Sequence, residues 1–338
     1  MLQCVKLIAA DNVLTLLSTD LEAGCRYHIT AVQIEENGEA LIPAERLAGI
    51  VRESAEDESL TIETEKEACV VRGAGSRFKI LGYDPAEYPA IADFEGKGDF
   101  QISAATLAGM IGKTLFATAK AHSHYAMSGV LWEASGKKLQ LVATDGHRLA
   151  QAKGALSKSA AREVTAIAPV KLMNLIQRVA ADGEETFEIK VTENQVLIRT
   201  ARAVLISSLV QGNFPRYGDV IPKECTRKVT ISTSQFDHRI RQAALLTNEE
   251  SRGVRFSFQS DQVVLASRMP EAGEAEVTCP SRLEGEPLDI GFNPTFLTDA
   301  LRVVDSDEIT LELSASNKPA VLKSGSDFLY VLMPVDIG

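Results

Sequence analysis

The sequence predicts an α+β protein made of three tandem copies of one unit, each with helices lying on one face of antiparallel strands. Self-similarity carries the prediction. Segments beginning ALIPAERLAGIV at Ala40, TAIAPVKLMNLI at Thr165 and LDIGFNPTFLTDAL at Leu288 each read as a strand, a helix and three further strands. Pro43, Pro169 and Pro294 open the helix in each copy, where a missing amide hydrogen costs nothing, and they lie 126 and 125 residues apart. A second set of landmarks agrees: LTLLSTD ends at Asp20, LQLVATD at Asp145 and VVLASRM at Met269.

Taken in order, the first copy opens on alternating strands through Leu7 and LTLLSTD, then a helix over 43–54 and three strands. The second begins with FQISAATLAGMIGKTLFATA from Phe100, a strand followed by an amphipathic helix over 103–120. SGVLWEASGKKLQLVATD is then two strands turning at Ser-Gly, before a helix over 169–182. The third repeats this plan with VTISTSQFDHRIRQAALLT (helix 232–247), RGVRFSFQSDQVVLASRM turning at Ser-Asp, and a helix over 294–304. Domains are expected at 1–97, 98–225 and 226–338. The first copy lacks one strand and one helix, because the counterpart of Phe100 would fall about 25 residues before Met1. This reads as a start truncated by that length. It predicts that Val5, Leu7, Leu14 and Leu16 are partly uncovered and that the first domain is the least stable.

Tandem units of this kind form an extended arc, and a head-to-tail contact between two arcs either closes into a ring or propagates as a filament. Composition excludes other classes. With 45% apolar and 24% charged residues in 338, no apolar run approaches the ~20 residues that span a bilayer. The start does not read as a signal peptide, and Cys4, Cys25, Cys69, Cys225 and Cys279 show no metal-ligand spacing, which suits a reducing cytoplasm. The net charge of −11 opposes nucleic-acid binding by overall charge, but its distribution is uneven. The five helical stretches carry nine basic residues (Arg46, Arg52, Lys113, Lys120, Lys171, Arg178, Arg239, Arg241, Arg302) against Glu45, Glu53, Asp182, Asp237 and Asp299, a net of +4 that leaves −15 elsewhere. A positive helical side fits a polyanion held through its phosphates; the same numbers also describe ordinary solvated helix faces.

The decapeptide LVATDGHRLA (141–150) gathers Thr144, Asp145, His147 and Arg148, groups able to move protons or hold a metal. Asp145-Gly146 is a turn dipeptide, however, and no nucleophile elbow, P-loop or HExxH accompanies it, so an active site is not expected. His122 and His124 lack a third ligand, so no metal site is expected there either.

The repeat plan, with ATDGHRLA (143–150), GNFPRYGDVIP (212–222), RGVRF (252–256), IGFNPTFLTDAL (290–301) and YVLMP (330–334), resembles the beta subunit of bacterial DNA polymerase III, the sliding-clamp family, over essentially the whole chain. The resemblance implies a ring-forming head-to-tail homodimer, with helices inside around double-stranded DNA bound without sequence preference and sheets outside. It implies a non-catalytic processivity factor without a cofactor. Its partners would be the polymerase alpha subunit, the clamp loader's delta subunit and other proteins bearing short clamp-binding peptides. The peptide pocket would be formed by Met127, Thr144, Gly146, His147, Arg148, Leu149, Pro215, Val220, Asn293, Phe296, Val331, Met333, Pro334 and Val335. DNA-facing positions would be Lys113, Lys120, Tyr125, Lys171, Arg178, Arg239, Arg241 and Arg302, and the dimer contact would join Arg46, Ile50, Phe78 and Ile80 to Leu245, Leu246, Glu271 and Glu274. Two features depart from the family pattern: Asp219 and Asp336 stand where a basic residue is expected at the pocket rim. A repeat-built interaction scaffold without DNA, and an enzyme centred on Asp145, His147 and Arg148, are the alternative readings.

Overall fold

The computed structural model describes residues 1–65, 68–120, 125–182, 186–247, 253–270 and 272–336. The first repeat contains β1 (Cys4–Ala10), β2 (Val13–Thr19), β3 (Ala23–Ile29), β4 (Gly38–Pro43), α1 (Ala44–Glu53), β5 (Thr61–Glu65), β6 (Ala68–Arg72) and β7 (Arg77–Leu81). The second contains β8 (Phe100–Ser103), α2 (Ala104–Gly112), β9 (Gly129–Ser135), β10 (Lys138–Thr144), β11 (Arg148–Ala155), β12 (Val164–Pro169), α3 (Val170–Val179), β13 (Thr186–Val191), β14 (Gln195–Arg199) and β15 (Ala203–Ser208). The third contains β16 (Arg227–Ser232), α4 (Thr233–Ala243), β17 (Val254–Phe258), β18 (Gln262–Met269), β19 (Gly273–Glu284), β20 (Leu288–Phe292), α5 (Pro294–Leu301), β21 (Glu308–Leu313), β22 (Ala320–Ser324) and β23 (Phe328–Leu332). Among the described residues the first repeat has no counterpart of β8–α2 or β16–α4, in line with the repeat arithmetic.

The chain forms two compact units, 1–104 with 174–209, and 105–173 with 210–338. The first holds an eight-stranded antiparallel sheet, β4-β1-β2-β3-β15-β14-β13-β8, and a three-stranded one, β5-β6-β7; the second holds a twelve-stranded sheet, β12-β9-β10-β11-β23-β22-β21-β16-β19-β18-β17-β20. The division runs through the middle repeat, because strands pair across each repeat junction. β3 joins β15 with Cys25 opposite Leu205, and β11 joins β23 with Ala150 opposite Tyr330. Both partners of the second pair lie 125 residues beyond those of the first.

The helices match the sequence in place but are shorter than expected. α2 ends at Gly112, the Thr114 hydroxyl donates back to the Met110 carbonyl at 2.9 Å, and the 3₁₀ turn Leu115–Ala117 follows. Glycine and a back-bonding threonine both weaken the helical ladder there. α4 buries Thr233, Phe236, Ile240 and Ala243, one face at helical spacing. Phe236 meets the Phe256 ring at 6.0 Å, and Phe256 also meets Phe258 and Phe292. This all-carbon cluster supplies roughly 1.5–3 kcal/mol per ring buried. α5 begins on Pro294, and the Asn293 side chain accepts from the Thr295 amide at 3.0 Å.

In the first unit the expected uncovered strands are only half uncovered. Val5 and Leu7 are buried, together with Leu47 of α1, Ile42, Val71 and Ile80, whereas Leu14 and Leu16 are half-buried. The sheet β5-β6-β7 and α1 close over the inner part of this face, which the spacing argument did not anticipate. Ile80, assigned to the dimer contact by resemblance, is therefore a core residue of its own unit.

Candidate functional site

The turn LVATDGHRLA joins β10 to β11, and its backbone is fixed from within. Gly146 takes φ +89°, a conformation that favours glycine. Asp145 Oδ1 accepts from the amides of His147 and Arg148, both at 3.0 Å, and the Thr144 hydroxyl donates to the Arg148 carbonyl at 2.7 Å. The turn's acid and hydroxyl are thus committed to the backbone.

Arg148 is the centre of a buried network, its side chain only 10% exposed. Nε donates to Asp145 Oδ2 at 3.0 Å, Nη1 to Asp299 Oδ2 of α5 at 2.8 Å, and Nη2 to the Phe116 carbonyl at 2.8 Å. The guanidinium also lies 4.4 Å from the centroid of the Phe296 ring. Burial alone would lower its pKa, but the hydrogen bond to Asp299 and the Asp145 charge outweigh that and hold it above the ordinary value. Tyr330 is pushed up by burial and donates its hydroxyl to the Phe296 carbonyl at 2.9 Å. A permanently charged arginine and a phenol locked as a donor form a brace.

Beside this brace lies a cleft of about 110 Å³, lined by Met127, Thr144, Gly146, Arg148, Leu149, Pro215, Arg216, Tyr217, Val220, Val331 and Met333. Its floor is Leu149 and Val331, both 2% exposed, and its mouth is Val220 and Met333, at 47% and 38%. The second wall, Phe214–Ile221, has no regular ladder and is held by side chains. Phe214, Tyr217 and Ile221 pack on Leu131, Val142 and Ile167. Tyr217 donates to Glu133 Oε2 at 2.5 Å and accepts from Gln140 Nε2 at 2.6 Å. Burial and the Glu133 hydrogen bond push the Tyr217 hydroxyl up to about 12. The cleft can receive apolar side chains against a rigid floor.

Nine of the fourteen expected pocket residues line the cleft, and the other five lie around it. Asn293 caps α5, His147 stacks on Phe296 at 6.5 Å and accepts from the Met333 amide at 3.0 Å through its carbonyl, and Val335 donates to the Gly291 carbonyl at 2.9 Å. Pro334 continues this tail between Met333 and Val335. Arg216 and Tyr217 line the cleft without having been singled out; the Tyr217 contact to Glu133 spans 84 residues, and no local pattern signals it. Asp219 is exposed and bridges Arg216 at 3.6 Å, and Asp336 is also exposed.

Lys113 pairs with Asp305 at 3.5 Å, Arg302 with Asp299 at 3.5 Å, Arg241 with Asp237, and Arg239 bonds Gln242 at 2.9 Å. Lys120, Lys171 and Arg178 are exposed. Tyr125 opens a 3₁₀ turn, Tyr125–Ser128, and its side chain lies outside the described set, as do His122, His124 and Glu271. Among the described residues no cluster of His, Cys, Asp or Glu has the makings of a metal site, and no helix is long and apolar enough to cross a membrane. Arg46, Phe78, Leu245 and Glu274 are exposed, and Ile50 and Leu246 half-buried.

Models of the DNA polymerase III beta subunit match the chain throughout: the N-terminal domain at 1–92, the central domain at 101–216 and the C-terminal domain at 218–336. The beta sliding clamp of Vibrio cholerae is 29% identical over 327 residues, covering 96% of this chain and 89% of its own; that of Chlamydia pneumoniae is 30% identical over 328, covering 96% and 88%. Among solved structures, the DNA polymerase III beta subunit of Thermotoga maritima superposes with TM-score 0.93 at 27% identity, covering 100% of this chain and 92% of that one. The Bacillus subtilis DNA polymerase sliding clamp gives 0.91 at 25%, covering 99% and 91%.

Replacing Arg148 by Met tests the brace. It leaves Asp145 and Asp299 half-buried without their cation and is expected to cost about 3 kcal/mol in urea unfolding. A loss under 1 kcal/mol would mean the two carboxylates are solvated enough to stand alone.

Proposed function

The chain belongs to the DNA polymerase III beta-subunit family, the beta sliding clamps, and on that premise we propose how its own residues make the ring and receive its partners. It is a clamp of DNA replication and a processivity factor, with no catalytic step of its own. The observation that carries the ring closure is the strand junction, which occurs twice within the chain and has open partners for a third.

Gln151 of β11 is paired to Val142 on one side and Leu329 on the other. Its first-repeat counterpart, Arg26, is paired to Leu17 and Val204. The third-repeat counterpart is Glu276 of β19, paired to Ala266 on one side; Gly273–Pro280 has no second strand among the described residues. The position that matches Val204 and Leu329 in the first repeat is Arg77 of β7, whose only described neighbour strand is β6. Docking β7 of one copy on β19 of another in this register sets Arg77 opposite Glu276 and Lys79 opposite Glu274, two opposite-charge cross-strand pairs. Arg77 and Lys79 now bridge Glu65 at 3.7 and 3.0 Å, exposed contacts that give way at little cost. Phe78, with Arg46 and Ile50 beside it, would meet Leu245 and Leu246, an apolar centre flanked by charge. Two such contacts close a head-to-tail homodimer.

The exposed helical cations Lys120, Lys171 and Arg178, with Arg239 and Arg241, would then contact duplex DNA through its phosphates, regardless of sequence. The cleft on β10, β11 and β23 would capture short peptides of the polymerase alpha subunit, the clamp loader's delta subunit and other clamp-binding proteins in the cytoplasm, with Leu149 and Val331 receiving apolar anchors and Met333 adapting to different ones.

Three measurements check this assignment. Arg77→Glu is expected to weaken self-association in sedimentation velocity by about tenfold, and adding Glu276→Arg to the same chain to restore it; failure of the swap would put the junction in another register. Leu149→Ala with Met333→Ala should leave the dimer intact and reduce affinity for a clamp-binding peptide by about 2 kcal/mol or more. Replacing Lys171, Arg178, Arg239 and Arg241 by Ala should flatten the salt dependence of retention on circular DNA while peptide binding survives; an unchanged slope would place these side chains away from the duplex.

A further inference from the structure

We propose that a basic track centred on Lys138 and Lys153 continues the cleft along the same sheet face, and that it takes an acidic segment of the protein whose apolar anchors occupy the cleft. The proposal rests on the peptide-binding reading above and adds the chemistry of the partner's flank. Strand alternation puts Leu149, Gln151 and Lys153 of β11 on one face. The register sets Thr144, Val142 and Gln140 of β10 beside them, with Lys138 next along β10 opposite Ala155. Thr144 and Leu149 line the cleft, Gln140 bonds Tyr217 and Glu133 behind the second wall, and the two lysines come next. At about 3.3 Å per residue, Lys153 lies roughly 13 Å from Leu149 and Lys138 roughly 20 Å from Thr144, four to six residues of extended peptide.

Both lysines are exposed, and neither has an ion-pair partner among the described residues. The carboxylates around them form no ion pair with either lysine and accept from neutral donors: Glu133 from Tyr217 and Gln140, Glu163 from Ser135, and Asp327 from Ser326. Lys323, on the same sheet, is by contrast bound by Glu312 at 2.8 Å. Exposed Lys137 and Lys158 extend the charge at the hairpin tip, where the Leu156 amide donates to the Lys137 carbonyl at 2.9 Å and that of Ala160 to Gly136 at 2.8 Å. In a chain of net charge −11, Lys137, Lys138, Lys153 and Lys158 against Glu133, Glu163 and Asp327 leave a small local excess of positive charge. A protein segment fits this face better than single-stranded nucleic acid, which would need exposed aromatic platforms; Tyr217, the aromatic side chain beside the track, is bonded to Glu133.

The test uses the full chain and synthetic peptides in fluorescence anisotropy. One peptide carries apolar anchors only. Two others add three aspartates through a glycine-serine spacer of four to six residues, one at each end. A poly-dT oligonucleotide is the fourth probe. The aspartate tail at one end is expected to tighten binding by roughly three- to tenfold at low salt, and the gain to vanish in Lys138→Glu/Lys153→Glu or at high salt. The neutral peptide should bind that variant as it binds the parent. A neutral peptide that binds while neither tail adds anything overturns the track and leaves the cleft reading standing. Failure of the neutral peptide itself overturns both. Lysine-dependent binding of poly-dT without any gain from the aspartates also overturns the proposal, in favour of a nucleic-acid contact.

Discussion

The structure depends on antiparallel strand pairing across repeat junctions. A single repeat does not bury its own edges: β3 and β11 would end their sheets as unpaired rows of amides and carbonyls, an open invitation to aggregation. Each is instead closed by the last strand of the following repeat, β15 and β23. That pairing is why the compact units cut through the middle repeat. The ring closure proposed above would extend a contact the chain already makes twice.

The junction also creates the cleft. Where β11 meets β23, Leu149 and Val331 stand opposite each other and form its floor. The floor stays rigid because Arg148, the next residue, is held by three acceptors from three elements: its own turn, α5 and the Phe116 backbone. Removing water from a guanidinium is costly unless its donors are satisfied, and here one of the acids that satisfy them, Asp299, comes from 151 residues away. The cluster that looked most like chemistry in the sequence is what braces the wall of the cleft.

Much of this was legible in the sequence because it is periodic. The repeat spacing located the helices, the Ser-Gly and Asp-Gly turns located the hairpins, and the shortfall of one strand and one helix in the first copy followed from arithmetic. What depends on long-range packing was not legible. The ends of α2, α3 and α4 are set by local competition between 3₁₀ and α hydrogen bonding, which a hydrophobic pattern does not resolve. Val5 and Leu7 are covered by a sheet whose placement no local signal reports. Counting helix charges gave a net value but not the pairing, in which Asp237 and Asp299 one turn away bind Arg241 and Arg302. The second wall of the cleft hangs on Tyr217 meeting Glu133, and sequence separation hides that contact.

Two equivalent junctions would give two clefts if their residues matched, and the residues explain why the first one differs. The counterpart of Leu149 in the first repeat is Gly24, and a side chain there would meet Ile91 at 3.0 Å. Ile91 occupies that space because the segment after β7 folds back over the junction. Tyr88 donates its hydroxyl to the Cys4 carbonyl at 3.2 Å and accepts from the amide of Thr19, the counterpart of Thr144, at 3.0 Å. Cys4, Leu17, Leu41 and Tyr88 pack into one buried cluster there, with Ile91 against it. In the second unit the equivalent segment places Tyr217 farther along the sheet, against Glu133 and Gln140, and leaves the space above Leu149 and Val331 open. One junction is therefore sealed by the chain's own isoleucine and tyrosine, and the other leaves its apolar floor open.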